Sequence, residues 1–342
     1  MLKLLKRAAV ALSFLLAVAA GLIAWAYVTT PAPAALPATV DVDPALPRIT
    51  LEGRLFHSET IGDPADPTVI VLHGGPGSDY RYLLGLQALS DRYFVVFYDQ
   101  RGGGLSTRIG AEGLTAQDMV DDLDLFADHY SPDRPVILIG HSWGAMLAAA
   151  YIGQHPERVS QVVLAEPGAL TDETMQAFQA HFASIMDADL LLRIAPVYIE
   201  ALHIADGGER ADFIAARQAE LWSSDVDNPY HCPGRPIIQP AWRVGATAGA
   251  AIQSSARTPA GITDMSLFSA NADRYPRPIL FLASACNTWL GEDLQRQHAR
   301  LFPAAEVVVI PAAGHMLFND NPEASLAAVR AYLESAAEAD GD

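Results

Sequence analysis

The chain has 342 residues, 51% hydrophobic and 18% charged, which is enough for one large domain or two small ones. Its 22 basic and 40 acidic residues give a formal net charge of −18, which argues against nucleic acid and against adhesion to anionic lipid. Two cysteines, Cys232 and Cys286, fit one disulfide in an exported protein or two buried thiols.

The first residues break the acidic pattern. Lys3, Lys6 and Arg7 precede an uncharged stretch over 8–28, and a Pro/Ala-rich segment follows. Positive charge before an apolar run marks an export signal or a membrane anchor with its amino end in the cytoplasm. The run exceeds the ~7–15 residues of a signal core and approaches the ~20 of a spanning helix. Residues 1–30 are therefore expected to be a signal anchor, although Ala24-Trp25-Ala26 offers a small-x-small cleavage site. Residues 31–47 are expected to be a semi-extended linker, and the body should lie outside the cytoplasm.

From residue 48 strands alternate with helices. One strand is expected over 49–57, and a short apolar run at 68–72 suits a strand buried on both faces. A helix is expected over 80–89, an aromatic and β-branched strand over 93–98, and a helix over 115–129 with Thr115 as its N-cap. Strands follow at 135–139 and 159–165. The rhythm then changes: 169–275 contains helical stretches at 176–194 and 211–222 but no clear buried strand. Strands resume at 278–283 and 306–310, and a helix over 322–338 closes the chain. These units imply a mostly parallel sheet with helices on both faces, built from 48–168 and 276–342, with 169–275 as a helical cap over the carboxyl ends of the strands.

Gly140-His141-Ser142-Trp143-Gly144 stands between an apolar run and a helix-forming run. Strand, sharp turn with serine at its apex, and helix make a nucleophile elbow. Its glycines permit a tight turn and close approach, and the Trp143 N–H points where an oxyanion would form. A serine hydroxyl needs a base, and the base needs a partner that fixes its tautomer. His315 follows the last strand in a small-residue turn and is the candidate base. His73-Gly74-Gly75-Pro76-Gly77 ends an early strand; Gly75, or else Gly74, is the candidate second oxyanion donor. No metal-ligand spacing, phosphate loop or dinucleotide fingerprint is present, so no cofactor is expected.

The segment 73–77, then Asp99-Gln100-Arg101-Gly102-Gly103-Gly104-Leu105-Ser106, then the Ser-Trp-Gly elbow resemble the proline iminopeptidase branch of the α/β-hydrolases over about 49–338. The resemblance implies that fold, a Ser/acid/His triad, a helical cap and release of an amino-terminal residue, often proline, from a peptide. It gives Asp99 and Arg101 a supporting role outside the triad. The chain departs from the pattern twice. His141 replaces the usual glycine before the serine, as in many esterases of the fold. The slot for the acid falls on Ser284-Ala285-Cys286-Asn287, where no carboxylate stands. Glu166, at the end of the strand after the elbow helix, is the first replacement candidate; Asp293 is the alternative, with neighbouring Glu292; the absence of any acid is third. An aminopeptidase must also hold an ammonium, and the cap offers Glu200, Asp206, Glu209, Asp212, Glu220, Asp225 and Asp227. The expected activity is a serine hydrolase of small peptide substrates, with a carboxylic-ester or lactone hydrolase as alternative and an inactive binding module as the rival from another class. The membrane is an expected partner through 8–28 if the anchor stays uncleaved; nothing indicates the oligomeric state.

Overall fold

A computed structural model describes residues 2–185, 188–225, 228–235, 241–258 and 263–339. Eight strands form one sheet: β1 (Arg48–Leu51), β2 (Arg54–Ile61), β3 (Thr68–Leu72), β4 (Phe94–Tyr98), β5 (Val136–His141), β6 (Val159–Ala165), β7 (Ile279–Ser284) and β8 (Ala305–Ile310). Their order is β1-β2-β4-β3-β5-β6-β7-β8. Pairing is antiparallel as far as β2–β4 and parallel from there on.

The helices are α1 (Leu2–Thr29), α2 (Ala116–Tyr130), α3 (Trp143–Gln154), α4 (Asp172–Ile185), α5 (Ala188–Ala201), α6 (Gly207–Ser223), α7 (Ala246–Ser255), α8 (Ser266–Ser269), α9 (Glu292–Ala299), α10 (Leu317–Asp320) and α11 (Pro322–Ala339). A tighter helical stretch spans Arg81–Asp91. Thr115 caps α2 in a reciprocal box with Asp118.

Strand side chains alternate between two apolar layers. Ile70, Leu72, Leu138 and Leu164 pack under α2 and α3; Val71, Ile139, Val163 and Leu282 pack under α11 and the Arg81–Asp91 stretch. Every residue of β3, β5 and β7 is buried, as double coverage demands.

Two expectations need correction. The single strand over 49–57 is a hairpin. Glu52 and Gly53 have φ of 46° and 78°, the paired positive values of a two-residue turn that folds β1 onto β2. The linker over 31–47 has no regular structure, but it is docked: Val40 is fully buried and donates its N–H to Leu105 O at 2.9 Å. Arg243 and Arg48 donate to the carbonyls of Pro37 and Val40, each at 2.9 Å. The strip's Pro44 carbonyl also accepts from Arg48, at 3.0 Å.

Between β6 and β7 stand α4 to α8, and the last part of this insert is seated on the body. Gly245 N–H donates to Gly77 O at 2.7 Å. A Cβ on Gly77 would lie 2.3 Å from Gly245 O, and one on Gly245 2.0 Å from Gly102 O. Asp79 receives the backbone N–H groups of Trp242 and Arg243. Asp212 receives Arg108 Nε, Arg243 Nε and Ala246 N, each at 2.9 Å.

Candidate active site

β5 ends at His141 and α3 begins at Trp143, so Ser142 alone makes the turn. Its φ of 55° and ψ of −118° are costly for a residue with a side chain. The sequence permits it because a Cβ on Gly140 would lie 2.4 Å from Gly144 O, and one on Gly144 2.1 Å from Leu72 O. Ser142 remains partly exposed while its neighbours are buried. Trp143 N–H opens α3 and has no intrahelical acceptor.

His315 lies on the turn after β8. Its N–H donates to Tyr230 O at 2.7 Å, and its ring stacks on Tyr230 with centroids 4.6 Å apart. Its Nδ1 is 2.7 Å from Glu166 Oε2. Glu166 is the first residue beyond β6, fully buried, with a positive φ of 44°. Buried carboxylates need donors, and this one has four: His315 Nδ1, Ser284 N at 2.7 Å, Ser284 Oγ, and Asn287 Nδ2 at 2.8 Å. A carboxylate at Nδ1 holds that proton and leaves the Nε2 lone pair as the basic one.

Asp293 and Glu292 lie exposed in the first turn of α9, and Glu292 pairs with Arg296. The loop over 285–291 does not bring either to His315. It closes on itself instead, since Asn287 Oδ1 receives the N–H groups of Trp289 and Leu290. Asp293 complements the start of its helix.

Gly75 is exposed at φ 48°. The alternative Gly74 has its N–H committed to Tyr82 Oη at 2.6 Å. Tyr82 Oη also meets His141 Nδ1 at 2.8 Å, and His141 Nε2 meets His315 O at 2.7 Å. Only a donor can face a carbonyl, so the proton sits on Nε2 and Nδ1 accepts from the tyrosine. A single chain of hydrogen bonds thus runs from the Gly74 amide to the His315 carbonyl. Burial, and then the neighbouring His315, holds His141 well below the ordinary histidine range, so it stays neutral.

Asp99 and Arg101 do not pair with each other. Asp99 is fully buried and takes His57 Nδ1 at 2.8 Å, Leu105 N at 2.7 Å and Tyr80 N at 3.0 Å. Arg101 turns to α2, with Nε 2.7 Å from Asp122 Oδ2. Gln100, between them, reaches the elbow: its Oε1 accepts Trp143 Nε1 at 2.8 Å and its Nε2 donates to His73 O at 2.9 Å. Sequence reasoning missed Gln100, Tyr82 and Ser284, and it read Asn287 as a gap. Only Gln100 carried a signal, its place inside the loop motif.

The carboxylates of the insert are mostly committed elsewhere. Asp206 caps α6, Asp212 holds two arginines, Glu220 pairs with Arg217 and Asp225 with Arg193. Asp227 lies outside the described residues. Cys232 and Cys286 form a disulfide joining the segment that bears Tyr230 to the loop that bears Asn287.

A family profile described as the alpha/beta hydrolase fold matches residues 67–322. A proline iminopeptidase of Xylella fastidiosa (strain 9a5c) is 33% identical over 173 residues, 50% of this chain and 52% of that protein. The chain thus spans about half the length of that relative. A cis-3-alkyl-4-alkyloxetan-2-one decarboxylase of Xanthomonas campestris is 26% identical over 298 residues, 79% of this chain and 90% of that protein. Among solved structures, a thermophilic esterase from Thermogutta terrifontis superposes with a TM-score of 0.59 at 20% identity, covering 85% of this chain and 99% of that one. That likeness concerns the fold alone.

Proposed function

The chain belongs to the alpha/beta hydrolase fold family, and from that premise we propose that it is a serine hydrolase working by acyl transfer, a proline iminopeptidase-like aminopeptidase that releases amino-terminal residues from peptides. The observation that carries the mechanism is the 2.7 Å contact between Glu166 and His315 Nδ1, beside a serine held in an elbow. His315 Nε2 takes the Ser142 Oγ proton as the oxygen attacks the carbonyl. The N–H groups of Gly75 and Trp143 hold the oxyanion. The imidazolium, stabilised by Glu166, gives its proton to the leaving amine, and water then releases the acyl group by the same steps. Asp99, Gln100 and Arg101 support the site by fixing loops and the Trp143 ring.

The peptide reading rests on likeness to the iminopeptidases. One observation favours the second reading, a carboxylic-ester or lactone hydrolase: Asp206, Asp212, Glu220 and Asp225 are already engaged within the insert, which leaves few carboxylates for a substrate ammonium. Rates on proline anilide against short acyl esters decide between them. Labelling by a fluorophosphonate that persists in Ser142→Ala would remove the nucleophile from both.

In the same reading α1 is an uncleaved membrane anchor, α4 to α8 form a cap, and the body lies outside the cytoplasm. Leu5–Thr29 has a mean hydropathy of 2.3, and none of its apolar window is buried against the protein, unlike a core helix. Lys6 and Arg7 precede the apolar stretch, the arrangement that keeps an amino end in the cytoplasm.

A further inference from the structure

Helix α5 packs on α6 through Val197 and Ala201, which are buried beside Phe213, and Ile194 on the same helix is buried as well. Its opposite side is apolar too. Leu192 is 74% exposed, Tyr198 50% and Leu202, just past the helix, 46%; Ala195 and Pro196 are exposed between them. At 100° per residue Leu192, Ala195, Pro196 and Leu202 fall within one arc of about 120°; Tyr198 stands at its edge, where its hydroxyl accepts Gln218 Nε2 of α6 at 3.2 Å. The charges lie off it: Arg193 reaches Leu221 O at 3.3 Å and Asp225 at 3.6 Å, and Glu200 is half-buried on the flank.

The end of α1 meets this helix. α1 and α5 are in contact, and the Tyr27 ring stacks on His203 with centroids 4.2 Å apart and planes at 11°. Trp25 and Tyr27 close the apolar span, where aromatic residues sit at the level of lipid headgroups. Whatever touches Tyr27 then stands at that level, and the 14 residues of α5 extend only about 21 Å from it.

We propose that the outward face of α5, formed by Leu192, Ala195, Pro196, Tyr198 and Leu202, lies in the interface of the bilayer that α1 enters. The proposal rests on reading α1 as an anchor. The attraction is apolar, since a chain of net charge −18 gains nothing from anionic lipid. Elsewhere in the insert a path of rings runs from α4 to the site. Phe178 of α4 stacks on Trp289 at 4.9 Å, Trp289 lies on Tyr230 at 5.0 Å, and Tyr230 on His315.

The test uses the full chain in phosphatidylcholine vesicles, with bimane on single cysteines introduced as Leu192→Cys, Leu202→Cys, Leu16→Cys in α1, or Thr60→Cys on exposed β2 as an aqueous reference. The native cysteines are bonded to each other. Nitroxide lipids should lower emission from 192 and 202 about twofold or more, as expected for groups a few ångströms into the interface. They should lower emission from 16 as well and spare 60, equally in phosphatidylglycerol and in high salt. Quenching at 16 without quenching at 192 and 202 overturns the proposal and leaves the anchor standing. No quenching at 16 overturns both. Protection of 192 and 202 in detergent that grows with protein concentration assigns the face to a second copy of the chain and also overturns it.

Discussion

Asn287 donates its side-chain N–H to Glu166 Oε2 at 2.8 Å, the oxygen that also meets His315 Nδ1 at 2.7 Å. The asparagine in the slot read as lacking an acid thus props a carboxylate that arrives from the neighbouring strand.

If Glu166 serves His315, Glu166→Gln should lower kcat by about 10⁴, because the amide can donate to Nδ1 and favour the wrong tautomer. Asp293→Asn should leave kcat unchanged. Steady-state rates on the preferred substrate check both; the opposite ranking would return the role to Asp293.

Tyr82→Phe should cost about 2–6 kcal/mol, since it strands two buried polar groups, the Gly74 N–H and His141 Nδ1, at about 1–3 kcal/mol each. Urea midpoints at constant m measure this. A loss below half a unit of that scale would mean that water replaces the hydroxyl.

Ser142 occupies a conformation that glycine adopts at less cost than residues with a Cβ. Ser142→Gly should therefore unfold at higher denaturant than Ser142→Ala, by about 1 kcal/mol, with both inactive. Equal midpoints would show that the elbow stores no strain.

His298 is buried, and burial pushes its pKa down to about 4 from an unfolded value of 6.5. A depressed base stabilises the fold in full above the unfolded pKa, and the contribution is lost as pH falls through the folded pKa. The loss between pH 6.5 and 4 should be about 3 kcal/mol. His298→Gln should show a flatter dependence of unfolding free energy over that window. An unchanged slope would mean that the ring is protonated without penalty.

Much of the fold was legible because its signals are contiguous. The elbow needs strand, serine and helix in succession, and 135–151 displays them in order. The candidate base, His315, was legible from its place after the last strand. The choice between Glu166 and Asp293 as candidate acid was not, because it depends on β6 and β7 lying side by side, with Glu166 N–H on Leu282 O. The Tyr82–His141 link joins the Arg81–Asp91 helical stretch to the end of β5, 59 residues away, and no local pattern announces it. The hairpin was missed because Glu52-Gly53 sits inside a continuous β-rich run without proline or asparagine. The docked linker was missed because two of its partners, Leu105 and Arg243, are remote in sequence.

The glycine junction among residues 77, 102 and 245 sets limits on how the insert can evolve. Its far helices can be lengthened, exchanged or grafted from another hydrolase, provided that the buried pair between Asp212 of α6 and Arg108 of the body is kept. Its root cannot, because a Cβ on Gly77 or Gly245 would lie only 2.3 or 2.0 Å from a main-chain carbonyl oxygen. Diversification of substrate range should therefore concentrate between residues 172 and 223, and library design aimed at new substrates does best to leave the root untouched.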